Sequence, residues 1–132
     1  MAAYLLDTHA LIWFFEENPL LPRLADATIR NTENQIYFSI ASFWEIAVKL
    51  NIGKLHLGTS IKELSVFCFQ NNIEITPVSL QHIATYVHLP LLHRDPFDRM
   101  LIAQALVHGF TIITKDSYFE PYQVPVLWTT LL

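Results

Sequence analysis

Cysteine and glycine are nearly missing from this chain: one cysteine, Cys68, and three glycines in 132 residues. A lone cysteine excludes an internal disulfide framework and a thiolate-built metal site, and it fits a reducing cytoplasm. Set in an apolar run, Cys68 reads as a small core hydrophobe. Three scattered glycines leave no glycine-rich phosphate loop and no dinucleotide fingerprint. The G-x-S-x-G elbow of serine hydrolases is absent. The six histidines (9, 56, 82, 88, 93 and 108) form no close pair at zinc spacing. No run of 18 apolar residues exists, so no membrane span is expected. The N-terminus has no basic stretch and meets Asp7 at once, so it does not read as a signal peptide.

Charge is also scarce, at 15% of residues, and acids outnumber bases 12 to 8 for a net −4. Taken alone, that argues against nucleic-acid binding. If four acids shared one metal site, however, eight acids would face eight bases on the remaining surface, so a metal-dependent nuclease is not excluded. What the chain has in plenty is apolar residues, 52% of the total with a positive mean hydropathy. Its length suits one domain, 1–132, with a substantial core. That much apolar surface on a small domain suggests that another chain covers part of it.

Taken in order, Tyr4 to Leu6 reads as a buried strand ending at Asp7, followed by a helix from His9 to Glu16 with Thr8 as its cap. Pro22 opens a second helix to about Asn31, and Gln35 to Ser39 is a second strand. A third helix runs from Ser39 or Ala41 to Leu50, closed by Gly53. A fourth, capped by Thr59 or Ser60, reaches Asn71. Ile73 to Thr76 is a strand, and Ser79 caps a helix to His88. After a loop from Pro90 comes the best-punctuated helix in the chain. Asp95 is its cap, Pro96 its first residue and Gly109 its end. Thr111 to Thr114 and Val124 to Leu127 are further strands, separated by a turn or short helix from Asp116 to Glu120. Short continuous apolar strands alternating with helices predict an α/β fold, a parallel sheet covered on both faces.

In such sheets, sites form beyond the carboxyl ends of strands. Asp7 directly follows the first strand, and Asp116 lies just past the strand ending at Thr114. Asp98 sits in the first turn of the helix that feeds that strand, which places it at the same edge. On a helical wheel it shares a face with Leu101, Ile102 and Ala105, while Arg99, Gln104 and His108 lie away from that face. Asp98 could serve as part of the helix start, or it could point into a site. Glu45 is one of few polar residues on a crowded apolar helix. With Ser42 and Lys49 it forms one stripe, which could be a solvated i,i+4 ion pair or a fourth acid reaching the same edge. Carboxylates that meet repel unless a cation holds them. Hard divalent ions with all-oxygen ligands, Mg²⁺ or Mn²⁺, are the matching partners. An acid-lined site of this kind commonly cleaves phosphodiesters. A phosphotransfer domain of receiver or haloacid-dehalogenase type also needs an aspartate after its first strand. Yet position 9 is His where haloacid dehalogenases carry a second Asp, and no early acidic pair exists for a receiver, although Lys115 could pose as its lysine.

Four blocks, LLDTHALIW (Leu5 to Trp13), SFWEIAVKLNIGKL (Ser42 to Leu55), HRDPFDRMLIAQAL (His93 to Leu106) and TIITKD (Thr111 to Asp116), occur in an order and spacing that resemble the PIN domain, and within it the VapC-like toxins of toxin–antitoxin pairs. The resemblance implies a three-layer α/β/α fold with a central sheet of four or five parallel strands. It implies Mg²⁺- or Mn²⁺-dependent endoribonuclease activity, with Asp7, Glu45, Asp98 and Asp116 as the catalytic acids. Asp7, Asp98 and Asp116 would bind the metal and Glu45 would position it or the attacking water. Thr8 and Thr114 match hydroxyl positions near the site. Asp95 belongs to a DPFD variant of the third block, with capping as its expected role. Lys49 and Arg99 could touch phosphate but are expected to pair with neighbouring acids. The resemblance also implies a homodimer and an antitoxin partner that inserts a basic side chain toward the acids. A PIN-like scaffold without activity is the competing expectation. Of the aromatics Trp13, Phe14, Phe15, Phe43 and Trp44, most should enter the core and the remainder should face a partner.

Overall fold

The computed structural model describes residues 2–129; the ends of the expected 1–132 domain fall outside that range. Five strands, β1 (Ala3–Leu6), β2 (Gln35–Ser39), β3 (Ile73–Thr76), β4 (Thr111–Ile113) and β5 (Val126–Leu127), form one sheet in the order β3-β2-β1-β4-β5. Every pairing is parallel. The helices are α1 (Thr8–Phe15), α2 (Arg23–Arg30), α3 (Ile40–Asn51), α4 (Ile61–Gln70), α5 (Leu80–Val87) and α6 (Pro96–His108), and a 3-10 turn spans Ser117–Tyr122.

Successive strand residues face opposite sides of a sheet, and here the two sides have separate cores. Leu6, Phe38 and Ile113 pack with α1, α2 and α4 residues such as Leu11, Ile29, Leu64 and Cys68. Their chain neighbours Leu5 and Ile112 pack on the other side with Leu101, Ile102 and Ala105 of α6 and with Phe119 and Tyr122 of the 3-10 turn. This is the expected three-layer arrangement. The buried, unpaired Cys68 is a core residue, and burial pushes its thiol up to about 12. Phe14 and Phe43 are buried and Trp13 and Phe15 pack against the core, whereas Trp44 is 65% exposed. Among the described residues no helix is long and apolar enough to cross a membrane.

Several local expectations change. The cap of α1 is Asp7, not Thr8: Asp7 has extended backbone and its Oδ1 accepts from Ala10 N at 2.7 Å. Pro22 stands in the extended cap position, and α2 begins at Arg23. Ser39 caps α3 and Ser60 caps α4. α6 follows its expected punctuation: the Asp95 side chain accepts from Asp98 N at 2.9 Å, and Gly109 ends the helix with a φ of 74°. The wheel reading of α6 holds only in part. His108 is exposed, but Arg99 and Gln104 are buried. The sheet covers one side of α6, and α5 with the loop after it covers another, so a single apolar stripe does not describe it. Gln104 Nε2 donates to the carbonyl of Pro77. His82 and His108 meet across α5 and α6 with their Nε2 atoms 2.7 Å apart, a pairing that sequence spacing does not reveal.

Candidate active site

From β1 the chain builds outward through β2 to β3, and from β4 it builds the other way to β5. The boundary between β1 and β4 is therefore a topological switch point, where the connections part and leave a crevice beyond the strand ends. Asp7 leaves β1 at this point, and its N–H donates to the carbonyl of Ile113 in β4 at 3.0 Å. Thr114 leaves β4 beside it.

Asp7 is buried and fully engaged. Its Oδ1 caps α1, and its Oδ2 accepts from Thr114 Oγ1 at 2.5 Å. The same hydroxyl accepts from Asp116 N at 2.9 Å, so Thr114 donates to Asp7 and accepts from the backbone of the next acid. Asp116 Oδ1 in turn accepts from Tyr118 N at 3.0 Å and starts the 3-10 turn. Burial raises the Asp7 carboxyl from its ordinary 3.8 to about 6; the hydrogen bonds from Thr114 and Ala10 oppose this, and the charges of Glu45 and Asp116 add to it.

Glu45, on α3, is also buried. Thr8 Oγ1 donates to its Oε1 at 2.5 Å, and Lys49 Nζ donates to its Oε2 at 2.6 Å. The expected i,i+4 pair is therefore present, on a buried acid rather than a solvated stripe. Burial works against the Lys49 charge, but Glu45, with Asp95 and Asp98 behind it, raises its pKa above the usual value. Asp98 is half-buried at the start of α6. Burial raises it to about 6; the hydrogen bond from His93 opposes this, and Asp95 and Glu45 add to it. Glu45 is thus the acid whose charge both Asp7 and Asp98 feel.

His93 is a site residue that sequence reasoning missed. Its Nε2–H donates to Asp98 Oδ2 at 2.8 Å, and its ring stacks on Tyr118, with centroids 4.4 Å apart and planes 16° from parallel. The i,i+5 pair spans the cap of α6, where neither helical periodicity nor a short motif predicts contact. Arg99 does not pair with an acid. It donates from Nη1 to the carbonyls of Pro90 and His93, and from Nη2 to those of Tyr86 and Leu89, with its guanidinium 4.8 Å from the centre of the Tyr86 ring. Tyr122 Oη accepts from His93 N at 2.8 Å and donates to Pro90 O at 2.9 Å. Together they fix the loop that carries His93.

The acids come together as neighbours rather than as a closed cage. Asp7 stands with Asp116 and Glu45, and Asp98 with Asp95 and Glu45. Among the described residues, no three His, Cys, Asp or Glu side chains form a ready-made ion cluster. Asp7 and Asp116 line an open pocket of about 460 Å³ with His9, Trp13, Lys115 and Tyr118; Asp98 and Glu45 do not line it. The donor set still suits Mg²⁺. That ion keeps several waters and commonly takes only one or two carboxylates plus substrate phosphate oxygens.

A parallel five-stranded α/β sheet with acids at its switch point defines the class. Residues 4–124 match the PIN domain, and the chain belongs to the PIN-domain family. Ribonuclease VapC22 of Mycobacterium tuberculosis is 25% identical over 126 residues, 95% of each chain. Two solved structures share the fold. VapBC-1 from nontypeable Haemophilus influenzae has a TM-score of 0.69 at 14% identity, covering 96% of this chain and 98% of that one. VapBC2 from Rickettsia felis, bound to a DNA fragment from its promoter, has a TM-score of 0.67 at 16% identity with the same coverage.

Proposed function

We propose that this chain is a Mg²⁺- or Mn²⁺-dependent endoribonuclease acting in the cytoplasm as the toxin of a toxin–antitoxin pair. The observation that carries the reading is the acid set at the switch point. Asp7 and Asp98 are each raised to about 6, and both feel Glu45. Such groups favour a bound cation, because it removes the repulsion that burial magnifies. Membership in the PIN-domain family and the likeness to a VapC ribonuclease point the same way.

Asp7, Asp98 and Asp116 are the residues that would hold the ion. When bound, it would supply Lewis acidity toward the phosphodiester and lower the pKa of a coordinated water. The chain's own contribution is positional. Thr114 holds Asp7 Oδ2 and the Asp116 backbone in one frame. His93 holds Asp98 Oδ2. Glu45, restrained by Thr8 and Lys49, is the group that orients the attacking water. In-line attack would leave 3′-hydroxyl and 5′-phosphate ends.

The test is cleavage of purified single-stranded RNA with Mn²⁺ or Mg²⁺ and with EDTA. Cleavage should require the ion. It should fall by at least about a hundredfold in Asp7→Asn and Asp98→Asn, both folded by circular dichroism. Full activity in either variant refutes the site.

The chain also forms a homodimer in this reading. A groove of about 480 Å³ is lined by Ile40, Trp44, Ile83, Phe97 and Met100 among others, with no charged side chain. Such a core-like surface suits an obligate copy of the same chain. An apolar, aromatic-lined groove also suits a helix of an antitoxin, whose basic side chain the acidic pocket would attract. Trp44→Ser should turn a sedimenting dimer into a monomer.

A further inference from the structure

The pocket beside Asp7 and Asp116 has more in it than acids. Its walls are His9 and Trp13 from α1 on one side, and Lys115 and Tyr118 from the segment after β4 on the other. His9 and Trp13 meet edge to face at 6.3 Å, and Trp13 is backed by Trp128 at 5.9 Å. Lys115 Nζ lies 5.8 Å from the centre of the Trp13 ring. Tyr118 stacks on His93 yet remains 55% exposed. His9, Lys115 and Tyr118 lie outside the core, and Trp13, packed against it on one side, still lines the pocket. Aromatic rings at a pocket mouth, fixed from behind and open in front, are what single-stranded RNA recognition uses, because every base has a face to stack.

We infer that this pocket is a nucleobase subsite. It receives the base of a nucleotide next to the scissile phosphate, stacked against the Tyr118 and Trp13 walls, with Lys115 reaching that nucleotide's phosphate. Two physical features favour a base over other occupants. A pocket floored by carboxylates disfavours a further phosphate but not a neutral heterocycle. The volume of about 460 Å³ joins the aromatic walls, Lys115 and the acids in one pocket, so one nucleotide can place its phosphate against Lys115 and its base against the rings. The inference rests on the ribonuclease reading above, since it names the part of the substrate that this site takes.

The test is fluorescence anisotropy with a short labelled single-stranded RNA in Ca²⁺, alongside an oligonucleotide of the same length whose riboses carry no bases. Tyr118→Ala should weaken binding of the base-bearing RNA about fivefold to a hundredfold, as loss of one stacking partner does. It should leave the abasic strand unchanged. Tyr118→Phe should restore the affinity. Lys115→Gln should weaken both strands and reduce the salt slope by about one. A 2-aminopurine base placed at successive positions should show one position quenched by wild-type protein and not by Tyr118→Ala.

If Tyr118→Ala binds both strands as wild type does, the subsite is wrong. The same holds if it weakens both strands equally, or if it reduces affinity only for an arginine-bearing peptide. Wild-type protein that binds RNA base-dependently but never cleaves it refutes the ribonuclease reading and leaves the subsite standing. Wild-type protein that cleaves RNA while Tyr118→Ala keeps its KM and its base-dependent affinity does the reverse. Failure of the wild-type protein to bind RNA at all overturns both.

Discussion

Replacing Asp7 by Asn should make the metal-free protein more stable while removing its activity. Asp7 is 9% exposed and its carboxyl is raised from 3.8 to about 6, with burial as the largest cause. Each unit is worth about 1.4 kcal/mol, so ionising Asp7 in the folded state costs about 3 kcal/mol relative to the unfolded chain. Asparagine removes that charge at nearly constant shape. Its Oδ1 can still accept from Ala10 N. Its amide can donate to Thr114 Oγ1, but an amide nitrogen cannot accept, so the Thr114 hydroxyl hydrogen that now goes to Oδ2 loses its acceptor. Allowing about 1–2 kcal/mol for the lost charged hydrogen bond leaves a net gain of about 1–2 kcal/mol. With an unfolding entropy of about 2.1 cal/mol/K per residue, this is a rise in Tm of about 4–7 °C.

The sign depends on pH. Between 3.8 and about 6 the folded chain binds more protons at Asp7 than the unfolded chain does. The penalty is therefore fully present above pH 6 and fades as pH falls toward 4. Calorimetry in EDTA should show the Asp7→Asn advantage at about pH 7.5 and its near disappearance at about pH 4.5. A variant no more stable than wild type at the higher pH refutes the assignment of strain to Asp7, as does an advantage that is the same at both.

Mn²⁺ should raise the Tm of the wild-type chain, by about 2.7 kcal/mol of added stability at a hundred times the dissociation constant, and should do little for Asp98→Asn; equal shifts in both would remove Asp98 from the ion site. Thr8→Val deletes the donor to Glu45 Oε1 in a buried setting. It should cost about 1.5–3 kcal/mol by urea unfolding at neutral pH, with activity reduced because Glu45 is no longer held. Arg99→Met keeps roughly the volume but removes the guanidinium bonds to the carbonyls of Tyr86, Leu89, Pro90 and His93; the Pro90 and His93 carbonyls keep Tyr122 as a donor and that of Tyr86 keeps Leu89 N, while that of Leu89 loses its donor. It should cost about 3 kcal/mol or more and speed amide exchange between Tyr86 and Asp95 before the sheet is affected.

Much of the scaffold can be read from the chain because parallel strands buried on both faces leave continuous apolar runs, such as Tyr4 to Leu6 and Thr111 to Ile113. Helix ends leave side-chain caps, such as Asp95 and Ser79. The position of Asp7 follows from the same logic, since the first residue beyond a central strand belongs to the crevice. Other features are hidden for physical reasons. A helical wheel assumes one buried stripe, and α6 is covered on more than one side, so Arg99 and Gln104 look exposed when they are not. Thr114 joins Asp7 to Asp116 only through the register of β1 on β4, a pairing across 107 residues that no local pattern carries. His93 reaches Asp98 by folding back over a cap, and Tyr118 meets His93 from beyond α6 and β4.

The start of α6 shows how the site and the fold constrain each other. A helix N-terminus stabilises negative charge, and the Asp95 cap and Asp98 both stand there. By that effect alone Asp98 should titrate below an ordinary aspartate, yet it is raised to about 6. Burial and the charges of Asp95 and Glu45 therefore outweigh both the helix end and the hydrogen bond from His93. The acids are held near one another against their own repulsion; Lys49 offsets part of it at Glu45, and no cation pairs with Asp7 among the described residues. Arg99 supplies its donors to backbone carbonyls instead of to the acids. Tyr122 ties His93 N to the carbonyl of Pro90. Had Arg99 paired with Asp98, the carboxylate would be neutralised and of little use to a cation. The buried arginine is thus spent on rigidity, and the negative charge at the crevice is left for a ligand.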